Sequence, residues 1–332
     1  MSDLVYIWAG LVGLAMILYV IMDGTNLGVG LLFLTTRDEK ERDVLIDTIS
    51  PVWDANQTWL VLGGGAIFAV FPVVYAVLSS ALYIPLMTFI FGLIFRGVTF
   101  EFRLNASRRE RWSLAFSLGS LIAVLSQGFT LGGVLSSIKV SGTTFAGGPF
   151  DWLNPFSIMV GCALVPGYVM LASTFLIIKT AGPIQERAYR LALGSTLIVL
   201  FFMAVVTVWT PFHYPVVWKF WFSPPRIYFI WAFPLLGLIA AAQLLRSVRN
   251  RHRESSPHLY AIFLFLSGYI GLAASLFPYA IPPRITLEEA AAQYETLRFM
   301  LWATAIILPA ILAYVIYSYS VFRGKVHPGE YY

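Results

Sequence analysis

The run Pro51-Val-Trp-Asp-Ala-Asn-Gln-Thr-Trp-Leu-Val-Leu-Gly-Gly-Gly-Ala-Ile-Phe-Ala-Val-Phe-Pro72 contains a single charged residue, Asp54. The rest of the run is uncharged, as expected for a helix in lipid or in a deeply buried core. A charged side chain inside a membrane span costs about 2.5–3.5 kcal/mol or more, so each one needs a reason. An aspartate at the head of this helix, beside Asn56 and Gln57, therefore marks a candidate site.

The whole chain shares the apolar character of this run. Of its 332 residues, 58% are hydrophobic and 12% are charged, with a mean hydropathy of +0.76, whereas soluble domains carry about 25% charged residues. Successive apolar runs reach the roughly 20 residues that a helix needs to cross the hydrocarbon layer, and the alternating segments of a membrane β-barrel are absent from the sequence. The composition predicts an all-α integral membrane protein.

Nine candidate membrane helices make up a single polytopic domain over residues 1–332. They cover about 4–35, 50–78, 79–101, 112–137, 155–179, 188–210, 227–246, 258–280 and 297–322. The second and third are expected to meet in a tight hairpin near residues 76–80, where Ser79-Ser80 is a weak turn signal.

Lysine and arginine counts predict the orientation of these helices. One set of loops, together with the C-terminal tail, holds sixteen of the 22: Arg37, Lys40, Arg42, Arg103, Arg108, Arg109, Arg111, Lys179, Arg187, Arg190, Arg246, Arg249, Arg251, Arg253, Arg323 and Lys325. The opposite loops hold five: Lys139, Lys219, Arg226, Arg284 and Arg298. By the positive-inside rule the N-terminus lies outside and the C-terminus in the cytoplasm, which requires an odd number of spans.

The charge and cysteine counts exclude several classes. The net charge of +5 does not indicate a nucleic-acid partner, because the basic residues form short clusters between apolar runs. The only cysteine, Cys162, is expected to be a packing residue, so the chain offers neither a disulfide framework nor a cysteine-ligated metal. The first apolar run is too long for a signal peptide, and we expect it to be retained.

Two segments between helices are predicted on the outer side, residues 140–154 and 209–226. The second is rich in aromatic residues and proline, and it includes Tyr214, Trp218 and Trp221. This composition favours an interfacial aromatic belt. A substrate-binding lid is the alternative.

Polar residues of the first two predicted helices lie at similar depth. Asp23 is about 28 Å along the first helix at 1.5 Å per residue, in its inner half, and Asn26 follows one turn later on the same face. In the second helix we expect Ser50 at the N-cap and Pro51 at the first helical position. Asp54 then lies about one turn inside, with Gln57 on its face.

The third predicted helix adds Arg96 and Glu101 at the same level, so four ionisable groups are predicted in one polar cluster near the cytoplasmic boundary. A proton relay needs a carboxylate whose pKa is tuned by burial and by a cation, and this cluster offers both. Structural roles remain open as well. Asp54 would stabilise the positive end of its helix, Arg96 would snorkel or pair with Asp23 or Asp54, and polar side chains would join helices.

Glycine and histidine positions narrow the chemistry. Gly24, Gly28 and Gly30, and the run Gly63-Gly64-Gly65, are expected to let helices approach closely. Neither run is a phosphate-binding loop, because no strand precedes it and no lysine follows. The four histidines fall at predicted helix ends or in loops: His213, His252, His258 and His327. We therefore expect no membrane haem ligated by this chain, and no zinc or copper site.

Two motifs carry a family resemblance. Asp23-Gly-Thr-Asn-Leu-Gly-Val-Gly30 closes the first helix, and Trp53-Asp-Ala-Asn-Gln-Thr-Trp59, followed by Gly-Gly-Gly and Phe68-Ala-Val-Phe-Pro72, opens the second. With Phe95-Arg-Gly-Val-Thr-Phe-Glu-Phe-Arg103 after them, they resemble subunit II of cytochrome bd-type quinol oxidases. Leu153-Asn-Pro-Phe156 and Phe277-Pro-Tyr-Ala-Ile-Pro282 also look like that family, so the resemblance covers nearly the whole chain.

The resemblance implies nine transmembrane helices, in two four-helix bundles plus a peripheral helix, with the first bundle over about 1–137 and the second, with the last helix, over about 155–322. It implies a partner, subunit I, that holds two b-type haems, one d-type haem and the quinol site. The complex would oxidise quinol outside, reduce dioxygen to water and take protons from the cytoplasm of a bacterial cell. Subunit II stabilises this complex, and in some members it houses a structural quinone; lipids and small single-helix accessory subunits are further expected partners.

In the family, acidic positions of the two motifs are implicated in proton delivery, and Asp23, Asp54 and Arg96 match family positions. This chain departs from the pattern at Asn26, where a second aspartate is common, and at Ala55-Asn56-Gln57, where many members have Gly-Asn-Glu. Both departures remove a carboxylate.

We therefore hypothesise that Asp54, near Asn56 and Gln57, takes up protons for the partner's oxygen site, with Asp23, Asn26 and Glu101 in the pathway and Arg96 as electrostatic partner. An ion-coupled secondary transporter is one alternative, although the intramembrane charges concentrate in the first three helices. A pure scaffold for the oxidase is another.

Overall fold

The structure, a computed structural model, describes residues 2–213, 218, 221–224 and 226–326. Thirteen helices and four short strands have both of their ends within these described residues. In chain order they are α1 Ser2–Leu32, α2 Glu39–Asp47, α3 Trp53–Val70, α4 Pro72–Ala81, α5 Tyr83–Asn105, α6 Arg109–Leu135, β1 Val140–Ser141, β2 Thr144–Phe145, α7 Pro155–Lys179, α8 Gly182–His213, α9 Arg226–Ile230, α10 Ala232–Asn250, α11 Ser255–Leu276, β3 Tyr279–Ile281, β4 Ile285–Thr286, α12 Leu287–Ala290 and α13 Tyr294–Val321.

The described helices confirm the all-α membrane class. Eight spans within the described residues are long and apolar enough to cross a membrane: α1, α5, α6, α7, α8, the α9–α10 segment, α11 and α13. The α3–α4 pair passes the same test only when the two helices are taken together, and it is bent by 114°. Counting that pair as one broken span gives nine.

The expected hairpin near residues 76–80 is wrong. The chain instead breaks at Phe71, between α3 and α4, and again at Leu82, before α5 begins. Pro72 explains the first break, because a proline has no N–H to donate and disfavours the helical conformation of the residue before it. Phe71 accordingly has φ −124° and ψ 62°, and residues 76–80 lie inside α4.

The expected cap of the second helix is also wrong. Trp53 is the first residue of α3, Val52 precedes it without a side-chain cap, and Pro51 lies before the helix. The Ser50 hydroxyl donates to the Ile46 carbonyl oxygen at 3.0 Å, so it serves the preceding turn. Asp54 is therefore the second residue of α3.

The helix α2 lies in a segment that the sequence predicts to be a loop between the first two membrane helices. Asp38 caps it by accepting a hydrogen bond from the Lys40 N–H at 3.0 Å. Contacts from α2 and the adjoining loops reach the neighbouring ends of α5, α6 and α8, and contacts of the α7 end reach the C-terminal end of α13. We call this side of the molecule the α2 end.

The first helix lies at the centre of the fold and packs against α3, α6, α7, α11 and α13. Its glycines permit this, as predicted. A Cβ added at Gly28 would lie 2.0 Å from the Tyr168 carbonyl oxygen, and one at Gly30 would lie 2.0 Å from Ser120 Oγ. The prediction for α3 holds only in part, since a Cβ at Gly63 would meet Met16 at 2.7 Å, whereas nothing lies within 4 Å of Gly64 or Gly65.

The later helices pack as neighbours along the chain: α5 with α6, α6 with α7, α7 with α8, and α10 with α11, while α11 also contacts α7. The last helix, α13, packs on α1 and α3. At the end opposite α2, Trp8 Nε1 donates to the Leu297 carbonyl oxygen at 3.0 Å, and the two antiparallel hairpins β1–β2 and β3–β4 lie in the loops.

Cys162 is exposed on α7, so the expectation that it packs in the interior is wrong. In the expected aromatic belt, Trp221 Nε1 donates to Ser275 Oγ at 3.0 Å. Tyr214, Lys219 and His327 lie outside the described residues.

Candidate functional site

A buried ion pair joins α1 to α5. Arg96 Nη1 donates to Asp23 Oδ1 at 2.7 Å, and both side chains are fully buried. Asn26, one turn after Asp23, donates to the same carboxylate oxygen from Nδ2 at 3.2 Å. Of the partners considered for Arg96 in the sequence, the structure selects Asp23.

The ion pair leaves several polar atoms without partners. Asp23 Oδ2 and both Nε and Nη2 of Arg96 have no hydrogen-bond partner among the described protein atoms. Trp59 Nε1, on the face of α3 that contacts α1, and the Tyr19 hydroxyl beside Asp23 are also unpaired at normal hydrogen-bond distance. An unsatisfied buried polar atom costs about 1–3 kcal/mol. Water molecules are the usual solution, because a buried water typically bonds to two to four such groups.

Asn56 connects this cluster to the last helix. It is fully buried. Its Nδ2 donates to the Met22 carbonyl oxygen at 3.3 Å, next to Asp23 in the chain, and its Oδ1 accepts from the Tyr319 hydroxyl at 3.1 Å. One amide therefore bridges α1, α3 and α13.

The structure does not bring Asp54 into this cluster. Two residues of a helix turn by about 200°, so Asp54 points away from the side on which Asn56 contacts α1. Asp54 is exposed on the single chain, and Gln57 is half-buried beside it. Val61 and Phe68, at seven-residue steps from Asp54, are 73% and 62% exposed on the same face. Together with the open positions Gly64 and Gly65, these residues form what we call the α3 stripe.

Glu101 is likewise separated from the ion pair. It is exposed near the end of α5 and lines an open cavity of about 920 Å³ together with Arg108 and Arg111. The expected cluster of four ionisable groups is thus divided into one buried pair and two surface carboxylates.

A second ionic cluster at the α2 end was missed in the sequence. Arg103 is 1% exposed and donates to Asp43 Oδ1 at 2.6 Å, to Glu39 Oε2 at 2.7 Å and to Ser113 Oγ at 2.9 Å. Burial raises the pKa of Glu39, but hydrogen bonds from Arg103, Arg42 and Ser113 outweigh this and lower it. The acidic residues Glu39 and Asp43, spaced four apart on one helical face, were the available signal.

Asp47, which lies in the same helix α2, is also not among the site residues predicted from the sequence. Its side chain is 7% exposed, and it lines a cavity of about 10 Å³ with Lys179 and Tyr319. Burial raises the pKa of Asp47 to about 6; Asp43 adds to the increase and Arg103 opposes it.

The histidines that the structure describes take no part in this site. Thr174 Oγ1 and His258 Nδ1 lie 3.1 Å apart near the α2 end, and His252 is exposed. Within the described part of the chain, no group of three His, Cys, Asp or Glu side chains is placed to hold a metal ion.

Comparisons with known proteins agree with this architecture. The profile of the cytochrome bd terminal oxidase subunit II family matches residues 4–322. The chain is 27% identical to cytochrome bd-I ubiquinol oxidase subunit 2 of Escherichia coli, over 97% of this chain and 94% of that protein. It is 29% identical to cytochrome bd ubiquinol oxidase subunit 2 of Bacillus subtilis, over 99% of both.

A solved structure is similar as well. The chain superposes on a chain of the bd oxidase from Geobacillus thermodenitrificans with a TM-score of 0.69 and 18% identity, over 97% of each chain, which supports the fold. The structural match supports the fold alone, whereas the family profile covers nearly the full length and shows the family. The chain therefore belongs to the cytochrome bd terminal oxidase subunit II family, and it is a multi-pass inner-membrane subunit of a quinol oxidase complex.

Proposed function

We propose that this chain covers and stabilises the haem-bearing subunit I of the oxidase and provides a proton-uptake route from the cytoplasm, with the two b-type haems, the d-type haem and the quinol site on the partner. The α2 end faces the cytoplasm in this proposal, because sixteen lysines and arginines belong to the loops on that side and to the C-terminal tail. The N-terminus lies outside.

Subunit I packs on the α3 stripe. Lipid chains fill a glycine surface poorly and solvate a carboxylate poorly, whereas a neighbouring helix does both through close packing and hydrogen bonds. Gly64 and Gly65 are open, and Asp54 is exposed at the α2 end of the same face. A partner helix on this stripe would bury Val61 and Phe68 and place Asp54 at the seam between the two subunits.

The observation that carries the proton route is the position of Asp54. Its carboxylate makes no ion pair with any residue that the structure describes, and it stands where an otherwise apolar face meets the predicted cytoplasmic side. A carboxylate at such a seam can take a proton from bulk water on one side and pass it to water or to a polar group of the partner on the other. Gln57, one turn away, can hold a water molecule beside it but cannot ionise.

Replacing Asp54 by Asn tests this function in the purified complex. We expect slower oxygen reduction at saturating quinol, with the haem spectrum and the subunit ratio unchanged. Glu288→Gln, at the opposite end of the molecule, is the control and should behave like the wild type. Loss of haem or of subunit I in the Asp54→Asn complex would instead favour the scaffold role, and an unchanged turnover rate would remove Asp54 from the route.

A further inference from the structure

The Asp23–Arg96 pair is sealed from the surface of the chain, yet its unpaired atoms require water. Four of the five unpaired atoms around it can donate a hydrogen bond to water, and the fifth, Asp23 Oδ2, can accept one. A hydrated carboxylate of this kind becomes part of a proton route only if protons can enter from one side. Asn56 links the pair to Tyr319, because its amide contacts Met22, next to Asp23, and the Tyr319 hydroxyl.

Tyr319 lies between the buried pair and the small cavity at the α2 end. Its hydroxyl donates to Asn56 Oδ1 at 3.1 Å, and Asp23 lies within electrostatic reach of it. The same tyrosine lines the cavity that Asp47 lines from the opposite element, α2. The cavity's volume of about 10 Å³ is sufficient for about one water molecule.

The cavity lies behind a short segment that follows α13. The Val326 N–H donates to the Lys179 carbonyl oxygen at 2.8 Å, and Lys325 Nζ donates to the Thr180 carbonyl oxygen at 3.1 Å and to Glu254 Oε1 at 2.8 Å. This segment, residues 323–326, fixes one wall of the cavity. Asp47 is the carboxylate among the cavity-lining residues.

We propose that Asp47 is the cytoplasmic entrance of an internal proton branch that runs through the cavity water and Tyr319 to the hydrated Asp23–Arg96 pair. This branch rests on the proposed function and is separate from the route through Asp54, which lies on the other side of α3. Asn56 acts as a positioning residue, because its amide holds the Tyr319 hydroxyl.

Each step of the branch conserves protons. The Asp47 carboxylate takes a proton from bulk water and passes it to the cavity water, which gives one of its own protons to the Tyr319 oxygen. As it does so, the original Tyr319 hydroxyl proton leaves Asn56 Oδ1 for a water molecule beside Asp23 Oδ2. One O–H bond forms and one breaks at each oxygen, and rotation of the new Tyr319 hydroxyl back onto Asn56 Oδ1 restores the starting state.

The charges that face Asp47 suit an entrance group. Asp43 lies on its own helix, Arg103 on α5 and Lys179 on the end of α7. Arg103 favours the ionised form of Asp47, whereas burial and Asp43 favour its protonated form. A carboxyl that titrates near neutral pH exchanges protons efficiently with both water and a relay.

The test uses the whole oxidase complex in liposomes, with quinol-driven turnover and proton uptake measured from pH 5.5 to 8.5. We expect Asp47→Asn and Tyr319→Phe each to slow turnover about twofold at pH 6, far less than the roughly 10²–10⁴ of a sole proton-transfer group, because the parallel Asp54 route remains. The double variant should be no slower than either single variant. Asp47→Asn combined with Asp54→Asn should slow turnover by much more than the product of the two single losses, because neither parallel route remains.

Controls separate this branch from a structural effect and from the proposed function. Glu186→Gln, an exposed carboxylate of the same end that pairs with Arg251, should keep the wild-type rate, and Asp47→Glu should restore much of the pH profile that Asp47→Asn removes. If Asp54→Asn slows turnover while Asp47→Asn and Tyr319→Phe retain the wild-type rate and pH profile, the branch is wrong and the proposed function stands. If the losses from Asp47→Asn and Tyr319→Phe multiply, the two residues do not share one path.

Discussion

Arg96 and Asp23 meet at 2.7 Å with neither side chain exposed, and they are the only fully buried ion pair among the residues that the structure describes. The pair links the central helix to α5, so it contributes to packing whatever its part in proton transfer. Its removal therefore affects stability as well as turnover, and the two effects can be separated by the choice of substitution.

Removing one member of the pair should destabilise the subunit strongly. Arg96→Met leaves the Asp23 carboxylate buried without its cation, which costs about 3–5 kcal/mol. The double variant Asp23→Leu with Arg96→Met replaces the pair by apolar groups and should recover most of that loss. Thermal unfolding of the detergent-solubilised complex measures both, with the exposed Arg249→Gln as control; equal melting temperatures for the single and double variants would contradict this.

The contact between α1 and α7 should not tolerate a methyl group. A Cβ at Gly28 would lie 2.0 Å from the backbone oxygen of Tyr168, and a backbone atom cannot move aside as a flexible side chain can. We expect Gly28→Ala to lower the yield and the melting temperature of the complex, in the range of about 1–3 kcal/mol for an overpacked core. Gly194→Ala, where nothing lies within 4 Å, is the matched control and should be neutral.

The ionic cluster at the α2 end should depend on Arg103 far more than on Arg109. Arg103 is 1% exposed and bonds to two carboxylates, whereas Arg109 reaches Asp43 at 3.4 Å and is 39% exposed. Arg103→Met should release α2 and expose residues 37–48 to proteolysis, and Arg103→Lys should give an intermediate result because lysine lacks the planar fork. Arg109→Gln should change stability by less than about 1 kcal/mol. Equal cleavage rates for the Arg103→Met and Arg109→Gln complexes would refute this ranking.

The stability of the complex should depend on pH through Asp47. Burial raises the pKa of its carboxyl to about 6, so the folded state binds the proton more tightly than the unfolded state. This contribution to stability is fully present below about pH 4 and is lost as the pH rises through 6. Asp47→Asn should therefore gain stability relative to the wild type between pH 5 and pH 7.5, measured by thermal unfolding.

Glu254 provides a control of opposite sign for that measurement. Hydrogen bonds from Lys325 and Gln185 lower the pKa of Glu254, so its contribution is present above its unfolded pKa and is lost in acid. Glu254→Gln should lose stability relative to the wild type as the pH rises from 4 to 7. If the stability differences of the two variants from the wild type changed with pH in the same direction, the sign predicted for Asp47 would be wrong.

Much of the fold could be read from the sequence, because apolar runs of sufficient length leave few alternatives to membrane helices. The expected α7, residues 155–179, agrees with the structure at both ends. The region around Pro72 was misjudged because hydropathy continues unbroken through a proline bend, and α2 was missed because a short, charged amphipathic helix resembles a loop in composition.

The site was harder to predict than the fold. Depth along a helix follows from residue counts, and the similar level of Asp23 and Arg96 was found in this way. Rotation about the helix decides which groups meet, and it depends on packing partners that one sequence does not reveal. The separation of Asp54 from Asn56 was nevertheless available from the turn of about 100° per residue.

The arrangement of α13 bears on how the subunit is made. This helix is held near its ends, by Trp8 at Leu297 and by Tyr319 at Asn56, while side chains along its length such as Trp302 and Ile306 are 68% and 76% exposed. We expect this helix to be the loosest part of the subunit on its own and to settle only when a neighbouring surface covers its middle, so that the subunit is completed by its surroundings.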